Sequence, residues 1–385
     1  MRNKNAQNIT GIRAIIIGYI AFIFIFYLAI REYNSLTKAI EVLRKLKKLK
    51  FEVAGKQNVN KIVKINGRYH WNMHLPGFPS KAQIANVLGE MNRISPVRSK
   101  NNRLSVLFLG ITKKCPLQCL HCYEWGALNH KDTLSLSALK NIIIKFQDLG
   151  VGHIQLGGGE PMTRFDDMVE IIKDIKTHTD IWISTCGFNL SEEKAMLLKK
   201  AGLNGVAISM DHFEPELHNA FRGHQNAFDW AITATHNCQK AGLITCWSIC
   251  VTREFLSKDN LIQYAWAAKK NNVIFVQLFE PMPAGRYSEK DVTLSSAQKK
   301  ILEDFYFEMN TSPKYKDFPM MVYFGPRDRR IGCLGSGNRY LYIDTDGYLQ
   351  SCPFCRNSKK MQVNNNRLEE LLDDLIIEGC NFKNL

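Results

Sequence analysis

The sequence predicts an α/β protein whose main domain is a partial barrel of six strand–helix units. Six short apolar runs alternate with amphipathic segments of helical period; they span residues 105–111, 153–156, 180–184, 205–209, 244–251 and 273–279. Gly150, Gly202 and Gly242 lie where three of those helices would end. Cysteine or polar motifs follow four consecutive runs, as expected at the carboxyl ends of parallel strands joined by right-handed crossovers.

Composition and the placement of the cysteines indicate a large globular protein without a disulfide framework. The 385 residues are 45% hydrophobic and 23% charged, which is ordinary for a globular chain that buries a substantial core. All eleven cysteines lie at or after Cys115, in close groups, whereas a secreted disulfide framework usually spreads its cysteines through a smaller chain. We therefore expect thiolate ligands in a large cytoplasmic domain.

The N-terminal segment predicts a membrane anchor at residues 1–31. Residues 11–30 read GIRAIIIGYIAFIFIFYLAI, and no charge follows Arg13 until Arg31. At 1.5 Å rise per residue this stretch is long enough to cross a hydrocarbon core. A single transmembrane helix is favoured; an in-plane amphipathic helix and a buried core helix are the alternatives.

A basic segment and preamble follow at residues 32–104. The stretch REYNSLTKAIEVLRKLKKLK contains seven basic residues and only two acidic ones, Glu32 and Glu41. The positive-inside rule therefore places the C-terminal bulk of the chain in the cytoplasm, beside the cytoplasmic membrane. The basic run would lie on anionic headgroups or form a solvated helix face. Because charge near the anchor explains much of the net +15, we predict no nucleic-acid partner. A hairpin at Asn66-Gly67 and a short helix complete this part.

Special residues follow each of the first four predicted strands. Cys115, Cys119 and Cys122 lie in CPLQCLHC; the later motifs are GGGEP (157–161), STCG (184–187) and SMDH (209–212). Thiolates favour zinc or iron–sulfur clusters, and three cysteines leave one iron of a 4Fe–4S cluster open to another ligand. The alternative is zinc with His121 as the fourth ligand.

Together these motifs resemble those of the radical S-adenosylmethionine (SAM) enzymes over roughly residues 105–355. The C-x3-C-x2-C spacing, GGEP, STCG, SMDH with HNAFRG (218–223), and EPMPAGR (280–286) all carry the resemblance. It implies that a 4Fe–4S cluster on the three cysteines binds SAM through its open iron. One electron would then cleave SAM to a 5′-deoxyadenosyl radical, which removes hydrogen from a substrate. The implied cofactor-binding residues are Gly158, Gly159, Glu160, Pro161, Ser209 and Arg222.

The tail resembles a SPASM or twitch auxiliary domain of the same superfamily. After the barrel (105–290), residues 291–385 contain a predicted helix at 295–310 and a hairpin at Asp346-Gly347. The spacing from Cys333 through Gly347 to Cys352 is C-x13-G-x4-C. The resemblance implies one auxiliary 4Fe–4S cluster whose ligands are Cys333, Cys352, Cys355 and Cys380, with structural zinc as the alternative. Cys186, Cys238, Cys246 and Cys250 receive no role.

The partners follow from the resemblance and from the anchor. The electron donor would be a flavodoxin or ferredoxin, and the substrate a peptide or a lipid or other membrane-bound metabolite. A membrane-bound iron–sulfur electron carrier without catalysis is a different class of function, but it would not need GGEP, Ser209 or Arg222. A zinc-dependent binding module would contain no iron and bind no SAM.

Overall fold

The elements of the chain are described in a computed structural model that covers residues 6–54, 61–97, 104–356, 361–363 and 368–379. The N-terminal part contains β1 (Ala6–Ile9), α1 (Gly11–Tyr33), α2 (Leu36–Ala54), β2 (Ile62–Ile65), β3 (Arg68–His70) and α3 (Lys81–Ile94). The central part contains β4 (Val106–Thr112), α4 (Leu136–Asp148), β5 (His153–Gly158), α5 (Phe165–Lys173), β6 (Asp180–Thr185), α6 (Glu192–Ala201), β7 (Gly205–Ser209), α7 (Pro215–Arg222), α8 (Ala227–Lys240), β8 (Ile244–Cys250), α9 (Lys258–Lys270) and β9 (Phe275–Phe279). The C-terminal part contains α10 (Ser296–Thr311), β10 (Met320–Val322), α11 (Gly325–Ile331), β11 (Tyr340–Ile343), β12 (Tyr348–Gln350), β13 (Met361–Gln362) and α12 (Leu368–Glu378).

The six predicted apolar runs form the six parallel strands β4 to β9, which pair in chain order. Alternate strand residues, such as Leu107, Ile154 and Val206, pack against the surrounding helices in the main hydrophobic core. The sheet is extended at both edges. At one edge β10 pairs with β9 in parallel; at the other, β11 pairs with β4 in parallel, and β12 and β13 follow as antiparallel strands. The predicted partial (β/α)6 arrangement is confirmed, and the strands beyond residue 290 extend it into a ten-stranded sheet.

Both predicted hairpins are present. Strands β2 and β3 pair antiparallel around Asn66 and Gly67, whose φ angles of 49° and 77° are left-handed. Strands β11 and β12 pair antiparallel around Gly347, with φ 84°. The predicted linker helix is α10, which begins at a capping box formed by Ser295 and Gln298.

The preamble closes the end of the barrel where the strands start. Met73 packs with Trp182, Phe275 and Met320 in one buried cluster, and its sulfur lies 3.5 Å from the Sγ of Cys246. These partners come from the beginnings of the strands. The preamble therefore forms a floor beneath the barrel, and the opposite end stays available for a site.

Helix α1 has the length and composition of the predicted anchor. Its mean hydropathy is 2.3, and 22% of its most apolar stretch is buried against the rest of the chain. It packs on α2 and α3 through a small cluster that includes Leu28, Ala29 and Met91. Length and composition alone also fit a signal sequence, so the transmembrane helix stays a prediction.

Candidate active site

The three cysteines lie in a loop that other strand ends hold in place. The loop follows β4, and Cys119 is buried while Cys115 and Cys122 are half-buried; all three are free thiols. The backbone N–H of Gln118 donates to the carbonyl of Arg222 at 3.1 Å, and Arg286 Nη1 donates to the carbonyl of Cys119 at 3.3 Å. The loop is thus fixed by residues from the end of α7 and from the segment after β9.

The glycines that end β5 are needed because that strand touches the cysteine loop. A Cβ on Gly159 would lie 2.4 Å from the carbonyl oxygen of Lys114, and one on Gly158, whose φ is 112°, would lie 2.5 Å from that of Thr112. The N–H of Gly159 donates to the carbonyl of Thr112, and the N–H of Glu160 donates to the carbonyl of Lys114, at 2.7 Å each. The GGE sequence therefore determines how closely the end of β5 approaches the cysteine loop.

Glu160 joins the ends of β5 and β6 through its buried carboxylate. Its two oxygens accept hydrogen bonds from the Thr185 hydroxyl at 2.6 Å, the Cys186 N–H at 2.7 Å and the Met162 N–H at 3.0 Å. Burial raises the pKa of this carboxyl, although these donors oppose the rise. Pro161 is buried in the short 3-10 turn that follows, so the structure places it in the frame of the site.

Arg222 lies beside the cysteine loop as a buried cation. It forms an ion pair with Asp211, its Nη1 lies 3.6 Å from Cys119 Sγ, and its Nε has no hydrogen-bond partner among the described residues. Although burial acts to lower the pKa of Arg222, the Asp211 carboxylate raises it, so the guanidinium stays charged. The N–H of Cys250 in turn donates to Asp211 at 2.8 Å. Ser209, at the end of β7, is half-buried on the same cavity wall.

The three thiols fit an iron–sulfur cluster better than a single metal ion. Among the residues that the structure describes, no three His, Cys, Asp or Glu side chains are arranged to hold one ion. His121, the alternative zinc ligand, stacks on Phe221 with ring centroids 4.8 Å apart. Burial raises the pKa of Cys115 and of Cys122 to about 12, so these thiols need a bound cation to become thiolates at neutral pH. An all-sulfur donor set in this setting matches iron–sulfur chemistry.

Three cysteines of the tail come together in a second group. The hydroxyl of Tyr340 and the N–H of Gly335 each lie 3.3 Å from Cys333 Sγ, and the N–H of Cys355 donates to Cys352 Sγ at 3.1 Å. The pKa of Cys352 is raised to about 12, chiefly by burial and in smaller part by the neighbouring Cys333 and Cys355. Cys380, the fourth predicted ligand, lies outside the described residues.

The two cysteine groups are connected by a buried network that the sequence did not predict. Glu124, two residues after Cys122, is 4% exposed and forms an ion pair with Arg356, which follows Cys355. The hydroxyl of Tyr342 donates to the same carboxylate at 2.5 Å. The ring of Tyr123 packs edge-on against Tyr342 and Phe354, with centroids 6.0 and 5.8 Å away. The neighbouring Trp125 is half-exposed under Arg286, whose guanidinium lies 4.1 Å from its ring centroid.

A cavity of about 1410 Å³ opens where these elements meet. Its wall includes Cys115, Cys119 and Cys122 as well as Cys333 and Cys352. Polar side chains from the strands also face it: Gln155, Ser184, Ser248 and Gln277. Ser184 belongs to the STCG motif, whereas the other three were missed by sequence reasoning. Gln155 donates to Ser184 at 2.7 Å, and Gln277 contacts His74 of the preamble at 3.0 Å. The three missed residues could have been predicted because each is a polar residue within an otherwise apolar strand, at a position whose side chain points to one face of the sheet.

Comparison with known proteins identifies the domain that contains this site. Residues 109–265 match the family model described as the radical SAM superfamily. These residues form a radical SAM domain. Proteins of this superfamily are enzymes that use a 4Fe–4S cluster and SAM, in agreement with the predicted cofactors.

Two curated proteins are similar in sequence to part of this chain. The mycofactocin maturase MftC of Mycolicibacterium smegmatis is 27% identical over 259 residues, which are 66% of this chain and 65% of that protein. A probable GTP 3′,8-cyclase of Methanothermobacter marburgensis is 38% identical over 112 residues, 29% of this chain and 36% of that one. The matched part thus spans about one third to two thirds of the length of these relatives.

Solved structures share the fold. Streptococcus suis SuiB bound to SAM aligns with a TM-score of 0.59 and 14% identity, covering 75% of this chain and 70% of SuiB. Native anSMEcpe with bound SAM aligns with a TM-score of 0.55 and 19% identity, covering 72% of this chain and 84% of that protein. The likeness extends well beyond the domain that the family model matches.

Proposed function

We propose that this chain is a membrane-associated radical SAM enzyme that cleaves SAM reductively and removes hydrogen from a peptide or a membrane-bound substrate. One observation carries the proposal: three free cysteines, Arg222 and the glycine-rich end of β5 border a single cavity at the carboxyl ends of parallel strands. When bound, the 4Fe–4S cluster and SAM supply one-electron cleavage of a carbon–sulfur bond and a carbon radical that abstracts hydrogen.

The residues around the cavity have distinct roles in this proposal. Cys115, Cys119 and Cys122 hold the cluster as thiolates. Arg222 offers its unpartnered Nε–H to an anionic group, and the carboxylate of SAM has the matching charge. Ser209 offers a hydroxyl from the end of β7, and Gly158, Gly159 and Glu160 line the cavity beside the cysteine loop, with Pro161 buried behind them. The buried frame around them excludes water.

The second cysteine group would hold an auxiliary 4Fe–4S cluster. Cys333, Cys352 and Cys355 are already adjacent, and Gly379, which precedes Cys380, accepts a hydrogen bond from Ser351 beside Cys352 at 2.8 Å. A closed four-thiolate site stores or relays electrons. A flavodoxin or ferredoxin would supply the electron that SAM cleavage consumes.

Two substrate classes have support. MftC is named a maturase, and SuiB has been solved with the precursor peptide SuiA, which favours a peptide for related chains. The apolar helix α1 favours a lipid or membrane-bound metabolite, with the catalytic domain on the cytoplasmic face of the membrane. Supplying the reduced enzyme with deuterium-labelled lipid and peptide fractions of the source cells separates the two. The deuterium appears in 5′-deoxyadenosine only with the fraction that contains the substrate.

The decisive experiment compares two cysteine variants after anaerobic iron loading. We expect Cys115→Ala to form no 5′-deoxyadenosine, because one cluster ligand is gone. Cys238→Ala is the matched control: this cysteine is fully buried in α8, does not line the cavity, and its variant should retain cleavage. Full cleavage by the Cys115 variant would refute the assignment. An iron-loaded wild type that never cleaves SAM would leave the electron-carrier function instead.

A further inference from the structure

Helix α1 presents its large apolar side chains outward. We call these side chains the apolar face of α1; their exposed fractions run from 37% to 75%, and they are Ile12, Ile15, Ile16, Tyr19, Ile20, Phe22, Ile23, Tyr27 and Ile30. The side turned toward the chain carries Ala14, Ala21 and Leu28, which are mostly small. A helix of a soluble protein shows the opposite arrangement. An exposed patch of this kind marks a surface that is covered by something else.

Helix α2, which packs beside α1 after the turn at Asn34 and Ser35, adds positive charge. Arg44 and Lys47 are exposed on one side of α2, together with Phe51 at 62% exposure. Neither basic residue forms an ion pair within the described part of the chain. Both acids of the helix are already engaged: Glu41 is bound by Lys38 and Lys45 at 3.0 and 2.8 Å, and Glu52 lies 4.0 Å from Lys48. The charge on this side of α2 therefore remains available to an anionic partner.

Both ends of α1 are attached to the same body of the protein. Just before the helix, β1 pairs with β2, and Asn8 Nδ2 donates to the carbonyls of Lys316 and Phe318 at 2.9 and 2.7 Å. At the other end, the hydroxyl oxygen of Tyr33 lies 2.9 Å from the carbonyl oxygens of both Met91 and Ser95 and can donate its proton to either. A helix that crosses a bilayer must place its ends about 30 Å apart on opposite sides. Attachment at both ends is the geometry of a helix that lies flat.

We propose that α1 and α2 form a monotopic membrane-binding surface for an anionic bilayer. In this arrangement α1 lies in the interface with its apolar face among the acyl chains, and the basic side of α2 meets the headgroups. The in-plane alternative for α1 thereby takes precedence over the spanning helix. This inference concerns binding alone and does not depend on SAM cleavage.

Vesicle binding tests both components with matched variants of the full chain. The probes are phosphatidylcholine vesicles with and without 30% phosphatidylglycerol, a composition of about one anionic lipid in three. We expect Arg44→Glu/Lys47→Glu to weaken binding to the anionic vesicles about thirty-fold or more, since each cation contributes about 1 kcal/mol near such a surface. Lys200→Glu/Lys270→Glu, on the exposed surfaces of α6 and α9, makes the same change in net charge and should bind normally.

The apolar face has its own pair of variants. Ile16→Gln/Ile20→Gln changes side chains that are 52% exposed and should abolish binding to both kinds of vesicle. Ile144→Gln/Ile301→Gln changes isoleucines that are 42% and 41% exposed on other helices and should not. All four double variants should still cleave SAM in detergent, which keeps a failure of this inference distinct from a failure of the proposed function. Equal binding by the test and control pairs, or dimerisation that covers α1 without any vesicle binding, would overturn the proposal.

A topology experiment separates a flat helix from a spanning one. A peptide tag is added at the N terminus, and inside-out vesicles of the expressing cells are treated with protease. We expect the tag and the catalytic domain to be digested together, because both lie on the same side of the membrane. A tag that stays protected while the domain is digested would show that α1 spans the bilayer, and the monotopic arrangement would be wrong.

Discussion

Replacing Asp211 by Asn tests whether the buried ion pair with Arg222 organises the site. Asp211 is 5% exposed and Arg222 is 8% exposed, so water screens neither charge well. Removing one member of such a pair leaves the other charge buried and typically costs about 3–5 kcal/mol. At the lower figure the folding equilibrium constant falls about 150-fold. Because Arg222 also loses its anchor, we expect SAM to bind roughly tenfold more weakly.

The assay is a guanidinium titration of the iron-loaded protein followed by circular dichroism, together with equilibrium dialysis of SAM. Glu170→Gln is the matched control, since its ion pair with Lys173 is exposed and should contribute less than about 1 kcal/mol. The double variant Asp211→Asn/Arg222→Met removes both charges and should be more stable than the sum of the two single losses implies. A loss of under about 1 kcal/mol in Asp211→Asn, or strictly additive losses, would refute the reasoning.

Three further predictions concern other parts of the structure. Gly159→Ala places a Cβ 2.4 Å from the Lys114 carbonyl, so the cysteine loop must shift; we expect reduced iron content by colorimetric assay, and a fully loaded variant would contradict this. Burial lowers the pKa of His153 to about 4, so the unfolded chain gains a proton there that the folded chain does not as pH falls from 6.5 to 4. In that window the free energy of unfolding should fall less steeply with falling pH in His153→Gln than in the wild type, by up to about 1.4 kcal/mol per pH unit; equal slopes would contradict the burial of a neutral imidazole. Glu124→Gln removes the charge that holds the arginine of the tail, and limited proteolysis should cut the tail faster than in wild type; an unchanged rate would count against that contact.

The sequence was most informative where the pattern is local. The six runs from residue 105 to 279 were recognised because buried parallel strands are continuous apolar segments, and each was followed by helical periodicity. The turns at Asn66-Gly67 and at Gly347 were predicted because few residues other than glycine and asparagine adopt a positive φ there. The cysteine loop was recognised from the spacing of Cys115, Cys119 and Cys122 alone.

The remaining features depend on contacts between distant parts of the chain. Tyr340 pairs with Val106 across more than two hundred residues, and nothing in either segment specifies that neighbour. Glu124 and Arg356 are ordinary charged residues until the fold buries them together. The floor made by Met73 was also missed, because a short apolar stretch in a preamble gives no sign of the surface that it will cover.

That floor makes the preamble part of the active site. His74 is 8% exposed; its ring packs edge-on against Phe108 and His153 beneath the strands, and its Nε2 lies 3.0 Å from Gln277, which faces the cavity. A segment without any of the site motifs thus shapes the wall opposite the cysteine loop. Substitutions there can alter the site without touching a cysteine.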